Sequence, residues 1–170
     1  RVLGSENEVV LVTTTRLEPV DAPFRLECVR PGDDAKFAVL HEWAEVVVFQ
    51  GHALDQFEVL RSSPKVLVAD IYDPMHLEML EQGRELGRAT WDLRVSTATG
   101  VLNDQLALAD FFLCASERQR LFYLGQLAGL GRITPATYEN DPHLRGLLAV
   151  APFGVQEEPP VHRRDAVKGV

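Results

Sequence analysis

The chain has 170 residues, of which 46% are hydrophobic and 25% charged, and its formal net charge is -8 at pH 7. This length suits one domain with a sizeable core, and the composition is that of an ordinary globular protein. The acidic balance excludes broad attraction to nucleic acid or to anionic lipid, which needs clustered lysine and arginine, although a local basic patch stays open.

Cysteine usage and hydropathy bear on the compartment. The two cysteines, Cys28 and Cys114, lie far apart, each in an apolar strand-like run. We expect buried free thiols in a reducing compartment, with a structural disulfide as the alternative. No apolar run approaches the roughly 20 residues that a membrane helix needs, and no signal peptide is visible. The sequence therefore predicts a cytoplasmic protein, with peripheral contact at the inner membrane face left open.

Short apolar runs predict the strands. They do not alternate with polar residues, which is typical of strands buried on both faces of a parallel sheet. Five such runs occur: Glu8–Thr14, Ala44–Phe49, Lys65–Ala69, Asp110–Ala115 and Leu147–Ala151. Helical segments between the later runs give βα units with right-handed crossovers. We expect an α/β protein, a Rossmann-like three-layer sandwich with a mostly parallel sheet.

Three helices are predicted in the middle of the chain. Apolar spacing indicates a helix over Ala53–Arg61, and Asp73 reads as the cap of a helix over Pro74–Leu86, with proline at its first position. The stretch between Glu85 and Leu108 reads as helical, with a loop around Thr97–Gly100.

The clearest helix signal follows the fourth apolar run. Ser116 and Gln119 form a capping box, and Glu117 suits the positive end of a helix. Gly129 or Gly131 can end this helix. One apolar stripe is predicted along it, made of Leu121, Leu124, Leu127 and Ala128.

Polar residues follow several predicted strands, and ligands of open parallel sheets bind beyond the carboxyl ends of the strands. We therefore expect a cleft at that edge. Its candidate residues are Gln50, Gly51, His52, Asp70, Tyr72, Asp73, Ser116, Glu117 and Arg118, with Phe153 and Gly154 after the last strand.

Asp73 and Asp70 are the candidates for acid–base chemistry, because a carboxylate in a partly dry cleft can accept a proton from a hydroxyl group. The alternatives are a helix cap for Asp73 and a structural hydrogen bond for Asp70. Tyr72 can stack on a ring or cover the core, and His52 can face the cleft or the solvent. Ser116 can bind an anion at a helix start or serve as a plain cap.

Several kinds of site find no support. The histidines show no metal-ligand spacing with cysteines or with one another, so no metal is expected. No dinucleotide-binding glycine motif, P-loop or hydrolase nucleophile elbow occurs.

The segments Ala109–Ser116 and Val150–Val155, with a helix between them, resemble the N-terminal domain of bacterial GT-B glycosyltransferases, in which a strand of the type ADxxxxxS precedes a helix and a vxPxGv segment leads onward. The wider pattern, from Val68–Pro74 to Pro159–Pro160, is similar to an actinobacterial-type subgroup. The resemblance covers about residues 7–170.

The resemblance implies an acceptor-binding domain over residues 1–158 and, over residues 159–170, a linker to a C-terminal domain that binds the nucleotide-sugar donor. This domain itself would bind no cofactor, and its partners would be that second domain and a sugar or other hydroxyl acceptor. The resemblance places Asp70, Tyr72 and Asp73 near the acceptor and Phe153 and Gly154 at the interdomain crossing. We expect neither nucleic acid nor a metal as partner.

Two departures from the family pattern are expected to matter. The family's first strand and its glycine-containing loop would precede Arg1, and the donor domain would follow Val170. Loss of a central strand exposes neighbouring strand edges, so self-association stays open. We expect the chain alone to be inactive. Two other functions remain open: a non-catalytic Rossmann-like binding module, and part of an epimerase-type enzyme acting on sugar nucleotides.

Overall fold

The computed structural model describes residues 3–17, 21–154 and 161. Its strands are all short: β1 (Val10–Thr13), β2 (Arg25–Cys28), β3 (Val46–Phe49), β4 (Val66–Asp70), β5 (Phe111–Cys114) and β6 (Leu148–Val150). The predicted linker over residues 159–170 lies outside the described residues, except for Val161, so the domain boundaries stay predictions.

All strand pairs are parallel. Strands β3, β4, β5 and β6 form one sheet in that order, and β1 and β2 form a separate two-stranded sheet. Helices follow the strands of the larger sheet, so the predicted Rossmann-like α/β fold is confirmed. Strand β2 lies outside the five predicted runs. Its charged residues Arg25 and Glu27 interrupt the apolar pattern that marks the other strands.

Six α-helices occur among the described residues: α1 (Asp34–Trp43), α2 (Ala53–Gln56), α3 (Met75–Gln82), α4 (Arg88–Leu108), α5 (Glu117–Gly129) and α6 (Pro135–Asn140). A 3₁₀ turn at Glu58–Ser62 follows α2. The predicted single helix over Ala53–Arg61 is therefore broken, at an extended Phe57. Its ring stacks on Phe37, with centroids 3.8 Å apart, so tertiary packing sets the break.

Helix α3 is shorter than predicted, whereas α4 is one continuous helix. Helix α3 ends at Gly83, where an added Cβ would lie 2.3 Å from the Trp91 ring. The predicted loop at Thr97–Gly100 is wrong, because α4 runs through it without a break. The hydroxyls of Thr97 and Thr99 donate to carbonyl oxygens one turn earlier, at 2.9 and 2.8 Å, which satisfies them inside the helix.

The apolar stripe predicted for α5 is also displaced. Leu127 is buried, but Leu121 is 68% exposed and Ala128 is exposed as well. The inward face carries Arg120 and Tyr123 instead. The Arg120 guanidinium donates to the backbone carbonyl oxygens of Leu148, at 3.0 Å, and of His143. These hydrogen bonds offset the cost of burying its charge. A charged residue thus belongs to the packed face, contrary to a purely apolar pattern.

Most of the core lies on one face of the larger sheet, although Val68 on β4 is buried on the other. A row of cross-strand neighbours, Phe49, Ala69, Phe112 and Leu148, is almost fully buried. On strand β3, Val46 and Val48 point to the opposite face and remain exposed. Leu11 on β1, in the separate two-stranded sheet, is exposed as well. Strand β3 is paired on one side only, so among the described residues its other edge has no partner strand.

Both cysteines are free thiols, as expected, but Cys28 is only half-buried. Cys114 is buried, and this burial raises the pKa of its thiol. The Sγ atom of Cys28 lies 2.8 Å from the carbonyl oxygen of Thr15. Within the described ranges, no helix is both long and apolar enough to cross a bilayer.

Candidate functional site

A cleft of about 190 Å³ opens at the carboxyl edge of the larger sheet. It lies beyond the ends of β3 and β4, where ligands of parallel sheets bind. Five of the residues that line it were predicted: Gln50, Gly51, Asp70, Tyr72 and Asp73. Three others were not: Ile71, Met75 and Gln105. The strand-end rule therefore brought together residues that lie about 20 positions apart in the sequence.

Gln105 shapes one wall of the cleft from helix α4. Its side chain is only 1% exposed, and its amide donates to the carbonyl oxygen of Gly51. Gly51 has a φ of +60°, a left-handed conformation that favours glycine. The sequence offered one indication of Gln105: it is a polar residue between Leu102 and Leu106, on the apolar side of a long helix. Such a residue has a polar partner inside the protein.

Asp70 closes strand β4 and lines the cleft. Partial burial raises the pKa of its carboxyl above the ordinary value of 3.8, and a hydrogen bond from the Tyr72 backbone offsets part of this rise. A raised pKa moves the carboxylate closer to the range in which it exchanges protons with a bound group. The alternative of a structural hydrogen bond is therefore also met, because this carboxyl bonds to the Tyr72 backbone while the residue lines the cleft.

Asp73 does not cap helix α3, so that interpretation is wrong. The cap position is Pro74, no side chain caps the helix, and the backbone N–H of Met75 donates to the carbonyl oxygen of Asp73 at 2.8 Å. The Oδ1 atom of Asp73 is buried and has no hydrogen-bonding partner within the described part of the chain. An unsatisfied buried acceptor is costly, but because this oxygen is buried it does not itself open onto the cleft that the residue lines.

Two residues of α3 lie next to Asp73. The adjacent carboxyl of Asp73 raises the pKa of Glu78, and desolvation of Glu78 adds to the rise. Burial lowers the pKa of His76, so its ring is mostly neutral at pH 7, and its Nδ1 has no partner among the described residues. No group of three or more His, Cys, Asp or Glu side chains in the described ranges could hold a metal ion.

Tyr72 joins the cleft to the end of the sheet. The Gln119 amide donates to the Tyr72 carbonyl oxygen at 2.7 Å, which fixes this loop against the start of α5. The Tyr72 ring meets Phe153 edge to face, with centroids 5.6 Å apart. Phe153 is 72% exposed and Gly154 is exposed, so both lie at the surface beside the cleft. Their assignment to an interdomain crossing stays a prediction.

The remaining candidates do not line the cleft. His52 is exposed, with its Nδ1 3.6 Å from a carboxylate oxygen of Asp55. Ser116 is a helix cap, accepting from the Gln119 backbone at 3.3 Å. The capping box is only half formed, because the Gln119 side chain accepts from the N–H of Ala115 and not of Ser116.

The other two residues at this corner face solvent. Glu117 pairs with Arg145 at 3.0 Å, so its charge is already compensated in the folded chain. Arg118 is exposed in the first turn of α5. Neither of these residues, nor Ser116, lines the cleft described above.

The electrostatics of the cleft favour a neutral ligand. Its charged lining groups are the carboxylates of Asp70 and Asp73, and no Lys or Arg lies among its lining residues. Carboxylates repel phosphate and other anions but accept hydrogen bonds from hydroxyl groups. No protein-family model, no curated protein and no solved structure matches this chain. A function must therefore be inferred from the geometry and charge of the cleft.

Proposed function

We propose that the cleft binds a hydroxyl-bearing acceptor, and that the chain is the acceptor-side domain of a nucleotide-sugar-dependent glycosyltransferase. The observation that carries the proposal is that the carboxylates of Asp70 and Asp73 line one cleft, with no Lys or Arg among its lining residues, at the carboxyl edge of a parallel sheet. An acceptor hydroxyl in the cleft can donate to a carboxylate there.

The chemistry assigned to Asp73 is that of a general base. Its carboxylate takes the proton of the acceptor hydroxyl as the hydroxyl oxygen bonds to the anomeric carbon of the donor sugar. The bond from that carbon to the diphosphate breaks, and the electron pair leaves with the nucleoside diphosphate. Asp70, with its raised pKa, is a hydrogen-bond partner for a second hydroxyl of the acceptor.

Two further features support this assignment. The four parallel strands β3–β6, with helices following them, fit the Rossmann-like sheet that a GT-B acceptor domain requires. The lack of Lys and Arg in the cleft fits a domain that receives the acceptor and leaves the diphosphate to another domain.

The test of this proposal is Asp73→Asn in the complete gene product. We expect sugar transfer to fall about 100-fold or more, because a positioned general base contributes about that much to the rate. Asp92→Asn is the matched control, since Asp92 forms an exposed i,i+4 pair with Arg88 on α4. Transfer is measured as nucleoside diphosphate released with and without acceptor, and folding by circular dichroism.

Equal rates for the two variants would remove Asp73 from the mechanism. The 170-residue chain alone should release no nucleoside diphosphate from any donor, and measurable transfer by it would contradict the division of labour between two domains. The complete coding sequence separates the main alternative: a second α/β domain after Val170 supports the enzyme, whereas a stop codon there supports a non-catalytic binding module. Net epimerisation of a sugar nucleotide without transfer would identify an epimerase-type enzyme instead.

A further inference from the structure

Two glutamine side chains hold the two loops that form the cleft. The first loop follows β3 and contains Gly51, and the second follows β4 and contains Tyr72. Gln105 on α4 donates from its side-chain amide to the carbonyl oxygen of Gly51. Gln119 on α5 donates in the same way to the carbonyl oxygen of Tyr72, at 2.7 Å. Each cleft loop is thus tied to a helix 54 or 47 positions further along the chain.

Both carbonyl groups lie just beyond the ladder of the sheet. The last ladder-paired residues of β3 and β4 are Phe49 and Asp70, and each precedes its loop carbonyl by two residues. Among the described residues, no backbone N–H donates to either carbonyl oxygen. The side-chain amides are therefore the groups that fix these two points of the loops.

The Gln119 amide is held at both ends. Its Oε1 accepts from the N–H of Ala115 at 2.7 Å, while its Nε2 makes the bond to Tyr72. The Tyr72 carbonyl belongs to the same planar peptide unit as the nitrogen of Asp73. The orientation of that unit sets the direction in which the Asp73 side chain leaves the backbone. Gln119 therefore contributes to the placement of a residue that lines the cleft.

Gln105 stands on a rigid support. Its neighbours Leu102 and Leu106 are 1% and 0% exposed, which anchors this part of α4 in the core. Its acceptor, Gly51, has a φ of +60° and lines the cleft. Because glycine has more backbone freedom than any other residue, a hydrogen bond to its carbonyl oxygen restricts the loop at its least restricted point.

We infer that Gln105 and Gln119 are positioning residues of the acceptor cleft, which hold the loops after β3 and β4 at the separation that a bound ligand requires. Gln119 does not line the cleft, and only 1% of Gln105 is exposed, so both act through the backbone of the loops. Side chains that lock a binding loop raise affinity, because less ordering remains to be done on binding. The inference rests on the proposed function, since it assigns these loops to the acceptor.

Two substitutions at Gln119 separate positioning from helix capping. Gln119→Glu keeps a side-chain acceptor for the N–H of Ala115 but has no donor for the Tyr72 carbonyl oxygen, whereas Gln119→Met loses both bonds. Glutamate suits the start of a helix, so Gln119→Glu should fold like the natural chain, as checked by circular dichroism. Gln105→Met removes the other tether. Gln82→Met is the control, because Gln82 is exposed at the end of α3.

Backbone amide NMR relaxation of the 170-residue chain measures the tethers without any ligand. The informative amides are those of His52 and Asp73, whose nitrogens belong to the tethered peptide units. Their order parameters should be about 0.85 in the natural chain, as in rigid backbone, and should fall toward about 0.6 when the tether is lost. We expect Gln105→Met to affect His52 alone and both Gln119 variants to affect Asp73 alone. An amide whose order parameter stays unchanged would overturn the positioning role of its glutamine.

Ligand affinity provides the second measurement. The probes are the methyl α-glycosides of D-glucose, D-mannose and D-galactose, titrated into the same chain and followed by saturation-transfer NMR. At least one should bind to the natural chain and equally well to Gln82→Met. Its affinity should be about three- to tenfold weaker for Gln105→Met, Gln119→Glu and Gln119→Met, which corresponds to the loss of one hydrogen bond.

The contrary outcomes differ from one another. Natural affinity in Gln119→Glu together with weaker binding in Gln119→Met would reduce Gln119 to a helix cap. Mobile loops with unchanged affinity would overturn the inference, as would failure of all three glycosides to bind the natural chain. If tether-dependent binding holds but the complete gene product transfers no sugar, the positioning residues stand and the glycosyltransferase assignment falls.

Discussion

The two aspartates of the cleft differ in their surroundings, although they lie three residues apart. Asp70 ends a strand, and its carboxyl is desolvated by the core and bonded to the Tyr72 backbone. Asp73 lies in the turn before α3 with one oxygen unpartnered and the carboxyl of Glu78 beside it. Two carboxylates in different environments are the usual basis for separate roles in a site.

Asp70→Asn should stabilise the protein at pH 7. The folded-state pKa of Asp70 is raised, so its ionisation opposes folding, and this cost grows as pH rises from below its unfolded value of 3.8 through its folded value. The variant, which carries no charge there, should have a higher free energy of unfolding than the natural chain at pH 7. The difference should shrink toward zero below about pH 4. Urea denaturation at pH 7 and pH 3.5 measures it.

The control for this prediction is Asp21→Asn, at an exposed loop position. It should give a much smaller difference at both pH values. A destabilised Asp70→Asn at pH 7 would show that the carboxylate makes a structural bond that outweighs its desolvation.

The sequence predicted that both aspartates line the cleft, but it wrongly predicted that Asp73 caps the helix. An aspartate directly before a proline is a typical helix start, so the pattern Asp73–Pro74 favoured a cap. The structure begins α3 one residue later, which turns the carboxylate away from the helix end. A shift of one residue at a helix boundary lies below what single-sequence patterns resolve.

At the scale of elements, the ends of α5 follow local rules and its faces do not. Ser116 caps the start as predicted, and the end is a glycine-based turn. The N–H of Gly131 donates to Ala128 at 3.0 Å and that of Arg132 to Leu127 at 2.9 Å, the bond pattern of a Schellman motif. Gly131 has a φ of +71°, in the left-handed region.

Opposite effects are expected from alanine at two glycines of this helix. Gly131→Ala should lower the free energy of unfolding by about 1 kcal/mol, because a Cβ is strained at this φ. Gly125→Ala, at a helix-interior position where an added Cβ meets nothing within 4 Å, should raise it by about 0.5–1 kcal/mol. Urea denaturation of both variants checks the signs. If Gly131→Ala proved as stable as the natural chain, the glycine would not be required by that turn.

Faces of helices depend on partners far away in the sequence. Arg120 points inward because carbonyl oxygens of His143 and Leu148 need donors there, and nothing in the α5 sequence reports this. The same holds for α4, where buried Ala98 and Val101 keep the helix continuous across a segment whose local composition favours a loop. Local patterns predict where helices start and stop, whereas tertiary packing decides what they bury.

At the scale of the whole molecule, parallel strand order explains why distant residues meet. Gln50 and Asp70 converge because β3 and β4 are neighbours that run in the same direction. This convergence was predictable from apolar runs and the strand-end rule. The arrival of Gln105 was not, because it depends on the path of α4 across the sheet, and neither was the subdivision into two sheets.

The most direct test of a hydroxyl-binding cleft is NMR mapping of the isotope-labelled 170-residue chain. The chain is titrated with the methyl α-glycosides of D-glucose, D-mannose and D-galactose, and the one that binds most tightly is used for the mapping. We predict that the shifted amides cluster at Gly51, Ile71, Tyr72 and Asp73, together with the side-chain amide of Gln105. Shifts confined to Ser116–Arg118 at the start of α5, or spread along the exposed edge of β3, would contradict a hydroxyl-binding cleft at the carboxyl edge of the sheet.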